Sequence, residues 1–134
     1  MLQPITLYVT TAVIFLALDV IGLKYLIRPV FETHIGPLLL ETPRWGPAAI
    51  FYLFYIAALL WLVSWPSYQT GDLARLALNA AIFGAVTYGT YEFTNLATLK
   101  DWSWSQVWLD LGWGIALTTV AATGGAMLTR SLTG

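Results

Sequence analysis

Three of the seven acidic residues stand where a charge is expensive: Asp19, Glu92 and Asp110 lie inside long apolar runs. A carboxylate held in hydrocarbon costs roughly 3 kcal/mol or more, so such groups turn toward a bundle interior and often mark ion or proton routes. Three acids gathered away from water cannot all stay charged, because mutual repulsion and desolvation both oppose it. Either one or more is protonated at neutral pH, or cations compensate. Lys24 and Arg28 are the cations nearest in depth. A carboxyl poised between two protonation states is what proton coupling or general acid/base chemistry requires.

Helical spacing gathers further polar groups around these acids. Gly84, Tyr88, Tyr91, Glu92 and Asn95 recur at steps of three and four, as do Gln106, Asp110, Trp113, Gly114, Thr118, Ala121 and Gly125. Tyr8, Thr11, Ala12, Phe15 and Asp19 share a third face, and Tyr52 and Tyr55 offer inward hydroxyls from a fourth segment. The pattern predicts a polar cavity bounded by Asp19, Tyr88, Glu92, Asn95 and Asp110, with Tyr91 and Trp113 beside it. The alternative is a structural clamp, in which each interhelical hydrogen bond adds about 1 kcal/mol. The chain has no cysteine and one histidine, so no thiolate or multi-histidine metal site is expected, nor any cofactor. His34 reads as a solvated loop residue. Ser67, Ser103 and Ser105 have no adjacent base and carry no nucleophile signal.

The elements that must position these residues are transmembrane helices. Spans of about 20 apolar residues cross a bilayer, and four segments qualify: 5–27, closed by Arg28-Pro29; 47–65, opened by Pro47 and stopped by Pro66; 73–97, with Asp72 as N-cap; and 106–128. The expected fold is an all-α, integral membrane four-helix bundle forming a single domain. Two short connections make the last three helices antiparallel neighbours. The long first loop, 28–46, mixes Phe31, Ile35 and Leu38 with Glu32, His34 and Glu41. It reads as an interfacial or re-entrant segment folding over the bundle, or as a plain tether.

Both termini then lie on one side, A, and the first and third loops on the other, B. At a rise of about 1.5 Å per residue, Asp19 lies roughly 5 Å past the centre of its span, and Glu92 and Asp110 each roughly 10 Å from theirs. Chain direction turns all three displacements toward side B, so the cavity is expected to open there, beneath the first loop. Lys24, Arg28, Arg44 and Lys100 fall at side B against Arg75 and Arg130 at side A. The positive-inside rule therefore puts side B in the cytoplasm.

Composition agrees. Hydrophobic residues make up 58% and charged residues 10%, against about 25% charged in ordinary soluble domains. A net charge of −1 gives no basic face for nucleic acid. Trp45, Trp65, Trp102, Trp104 and Trp108 cluster at span ends and read as an interfacial belt. The N-terminal run carries no early Lys or Arg and is interrupted by Asp19, so it reads as a retained helix rather than a cleaved signal.

The run Thr90-Tyr-Glu-Phe-Thr-Asn-Leu-Ala-Thr-Leu-Lys-Asp-Trp102, the later Asp110-Leu-Gly-Trp-Gly114 and the first-span Phe15-Leu-Ala-Leu-Asp19 resemble a family of small bacterial membrane proteins, the domain of unknown function 2177 family. The resemblance runs over nearly the whole chain. It implies four spans in a bacterial inner membrane and no assigned activity. A Trp commonly follows the first-span Asp in that family, whereas this chain has Ile21-Gly22, so no role for that aromatic carries over. Three functions remain open. A small carrier comes first, with or without proton coupling, working as a homodimer and binding a small polar or lipid ligand. An enzyme modifying lipids or isoprenoids by carboxyl acid/base chemistry comes second, and an accessory subunit of a larger membrane complex third.

Overall fold

The computed structural model describes residues 2–133. Four helices account for nearly all of them: α1 Leu2–Leu38, α2 Trp45–Thr70, α3 Leu73–Thr98 and α4 Trp104–Thr133. Three of them, α1, α2 and α4, are long and apolar enough to cross a membrane. The α3 helix matches α2 in length, at 26 residues.

Two helix ends differ from the expected ones for a shared reason. Pro29 and Pro66 were the natural stops, since a proline inside a helix collides with the carbonyl four residues back. Neither ends its helix. Each follows a five-residue π-turn, Leu23–Ile27 in α1 and Leu60–Ser64 in α2. Across these turns Arg28 N–H reaches Leu23 O and Trp65 N–H reaches Leu60 O. The wider turn shifts the carbonyl ladder by one residue and makes room for the ring. As a result α1 runs for 37 residues, about 55 Å, well beyond a hydrocarbon core of about 30 Å. Much of the presumed first loop is therefore helix.

The other boundaries rest on capping. Asp72 accepts from Arg75 N–H at 3.0 Å and starts α3. Gly71, at φ 75°, provides the left-handed residue that ends α2. At α4, Ser103 Oγ accepts from Gln106 N–H while Gln106 Oε1 accepts from Ser103 N–H, a reciprocal capping box.

Packing falls into three tiers. Leu7, Leu59, Leu76 and Ala122 fill the side A end, and Phe15, Tyr55, Ile56 and Leu117 the middle. Ile27, Phe31, Ile35, Trp102 and Val107 close the side B end. Antiparallel α3 and α4 approach closely at Gly84 and Gly114. A Cβ on Gly84 would stand 2.9 Å from Gly114 O, and one on Gly114 would enter the ring of Tyr88. The α1 and α4 helices meet through Thr10, whose hydroxyl lies 3.0 Å from that of Thr129, and through Thr11 seated over Gly125. Small residues bring membrane helices within reach of each other's backbones. The α2 helix joins α1 through Tyr8, whose hydroxyl donates to Leu53 O at 2.8 Å, and through Tyr52, whose ring lies 5.8 Å from that of Phe15. Its buried side chains begin at Tyr55 and run to Tyr68, whereas none of residues 45–54 is buried.

Candidate functional site

All three intramembrane acids are buried, Asp19 at 3%, Glu92 at 0% and Asp110 at 7% exposure. Glu92 comes from α3 at the register where α4 presents Asp110, and the two carboxyls are neighbours. Glu92 Oε1 accepts from the Trp102 indole N–H at 2.9 Å. Its second oxygen, Oε2, is buried and meets no N–H or O–H donor.

Asp19 occupies the adjoining part of the site, one turn along α4. Its Oδ1 accepts from the Trp113 indole N–H at 3.2 Å, and the Tyr52 hydroxyl stands beside the carboxyl. Room for the indole comes from Gly22, because a Cβ there would overlap the six-membered ring of Trp113. Gly22 thus makes the socket for an aromatic supplied by α4. Tyr88 packs over Gly114 with Asp19, Asp110, Tyr52 and Tyr55 as its neighbours. Deeper toward side A, the Tyr55 hydroxyl joins α2 to Thr118 of α4 at 2.9 Å and to Thr87 of α3 at 3.1 Å.

Several sequence expectations change here. The site is roofed on side B rather than open. Trp102, expected in the interfacial belt, is 8% exposed and packs edge-on against Phe31 at 5.2 Å. Phe31 belongs to the part of α1 that continues past Pro29. Tyr91 lies at the rim at 52% exposure, its ring edge-on to Trp102 and its hydroxyl near half-buried Asn95. Neither cation reaches the acids. Arg28 pairs with Glu32 at 2.6 Å on the surface of α1, and Lys24 sits over the Tyr25 ring. Among the described residues, the only other ion pair is Arg75 with Asp72. The three acids do not converge as a metal-holding group among the described residues.

Trp102 and the Ser103–Gln106 capping box were the pieces missed from the sequence. The Ser-x-x-Gln spacing signals the second, while nothing local signals the first. Trp102→Phe keeps the packing against Phe31 but removes the one donor to Glu92. A lost hydrogen bond that strands a buried polar group costs about 1–3 kcal/mol, so this variant should unfold in milder conditions than the parent, as read by thermal denaturation in detergent.

The bundle and its sealed polar interior define a polytopic α-helical membrane protein. The chain belongs to the family described as "predicted membrane protein (DUF2177)", whose model matches residues 4–127. That match confirms the resemblance seen in the sequence. Neither a curated protein nor a solved structure gives a match.

Proposed function

We propose that the protein is a small proton-coupled carrier in which Glu92 and Asp110 together hold the exchangeable proton. One observation carries this reading: a fully buried glutamate with one oxygen on an indole, the other without a donor, and a second carboxyl as its neighbour. Two carboxylates this close and out of water cannot both ionise, and a proton held between them supplies the missing donor. Simple helix packing would not need the arrangement, since apolar side chains hold helices without a desolvation penalty.

On this reading α3 is the fourth span, the exposed hydroxyls of Thr90, Thr94 and Thr98 donating to carbonyls of their own helix. The acid pair lies toward the end bearing Lys24, Arg28, Arg44 and Lys100, which the positive-inside rule assigns to the cytoplasm of a bacterial inner membrane. The π-turns of α1 and α2 give these two helices a place to flex beside the rigid α3–α4 hairpin, a common use of such turns. Proteoliposomes test the proposal. The protein should dissipate an imposed pH gradient faster than protein-free vesicles, and Asp110→Asn should abolish the difference. Equal rates with and without wild-type protein would overturn it.

A further inference from the structure

The side A end of the bundle carries an open groove of about 360 Å³ between the start of α3 and the last turns of α4. Leu73, Ala126 and Met127 give it an apolar wall, and Arg130 and Ser131 follow on α4 toward the end of the helix. Its volume falls within the range that holds small organic ligands, about 300–1,000 Å³. Arg130 is exposed but not free to swing. Its Nη2 donates to Tyr68 O, in the last turn of α2, at 3.5 Å, and the guanidinium lies over the Tyr68 ring, 5.2 Å from its centroid. Tyr68 is buried and stacks in turn on Trp65, with ring centroids 5.8 Å apart, an indole at the level where a span meets water. Only one N–H of the guanidinium is spent in this way, and none of the described carboxylates pairs with it. Arg75, the other arginine of side A, differs, since Asp72 stands 3.8 Å from it.

We infer that this groove holds one anionic phospholipid, its phosphate on the Arg130 guanidinium and part of an acyl chain along Leu73 and Met127. Charge complementarity selects the occupant. A guanidinium presents a planar fork of N–H groups that matches two phosphate oxygens. No acidic residue lines the groove, so nothing there holds the ammonium of a zwitterionic headgroup, and a lipid of net negative charge is preferred. The apolar wall separates a lipid from a free phosphate, which gains nothing by covering Leu73 and Met127. Because Tyr68 already fixes the guanidinium, binding costs less side-chain freedom than at an arginine that merely snorkels. The groove lies at the opposite end of the bundle from Glu92 and Asp110, and its occupant does not depend on the carrier reading.

Native mass spectrometry of the purified protein provides the test, with dioleoyl phosphatidylglycerol, dioleoyl phosphatidylcholine and soluble glycerol phosphate as probes. Phosphatidylglycerol should bind saturably and at least ~10-fold more tightly than phosphatidylcholine, the factor expected of a charge-assisted hydrogen bond. Glycerol phosphate at the same concentrations should not displace it. Arg130→Gln, checked for folding by gel filtration, should erase the difference between the two lipids, whereas Arg75→Gln should keep it. Should the glutamine variant not fold, Arg130→Lys retains the charge without the planar fork and should cut the preference at least ~3-fold. Equal affinity for the two lipids in the wild-type protein would overturn the inference. So would a preference that survives Arg130→Gln, one untouched by Arg130→Lys, or one lost equally in Arg75→Gln. Displacement by glycerol phosphate would make this a site for a free anion and rule out the lipid as its occupant.

Discussion

Glu92→Gln should abolish gradient dissipation while leaving the fold as stable as the parent or more so. The amide keeps an oxygen able to accept from the Trp102 indole, now 2.9 Å from Glu92 Oε1. Its NH₂ group then becomes a donor toward Asp110, the neighbour of a position that lacks one. That N–H takes the place of the shared proton as the donor between the two side chains, so neither buried group loses its partner. The substitution also removes the exchangeable proton. Stability and transport should therefore part, with thermal denaturation in detergent holding or rising and the gradient assay dropping to the level of protein-free vesicles. A purely structural clamp predicts that any change follows stability alone. Full transport by the glutamine variant would end the case for Glu92 as a proton carrier.

Gly84→Val should be the most damaging substitution for the fold. A Cβ at this position would meet Gly114 O at 2.9 Å and the Ile115 Cα at 3.1 Å. Both belong to the backbone of α4, so no side chain can rotate away, and the helices must separate. Overpacking of this kind costs up to about 3 kcal/mol. Separation also reaches the site, because Glu92 and Asp110 lie farther along the same α3–α4 seam and depend on its closeness to be neighbours. A fall in detergent denaturation midpoint together with lost transport is the expected pair of results. Gly112→Val, where a Cβ meets nothing within 4 Å, should leave both intact. Equal tolerance at the two glycines would show that the hairpin does not rely on the close crossing.

The bundle was legible from composition and from four apolar runs, because the solvent for so apolar a chain can only be lipid. The acids were legible because a charge in such a run has so few explanations. Helical spacing puts Tyr88, Trp113 and Gly114 on faces with the acids, and in the structure Tyr88 packs on Gly114 while Trp113 donates to Asp19. Less visible were features that depend on long-range contacts. A π-turn leaves no mark in composition, so Pro29 and Pro66 looked like stops. The α1 extension was hidden with them, and so was Phe31 as the partner that draws Trp102 inward. Without that partner, a tryptophan at a span end reads as a belt residue. One missed turn thus obscured the roof of the site. Tyr91 shows a smaller effect. Burial on α3 centres on Leu76, Ala80, Gly84 and Glu92, which leaves Tyr91 at the margin of the face that spacing alone assigned to it.

Infrared spectroscopy of the protein in hydrated membranes at neutral pH, with isotope-labelled Glu and Asp, tests the proton directly. A protonated carboxyl has a carbonyl stretch separate from that of a carboxylate. One such buried band is expected, sensitive to label in Glu, Asp or both, and lost in Glu92→Gln and in Asp110→Asn alike. Absence of a protonated carboxyl, or a band that survives both substitutions, would contradict the shared proton.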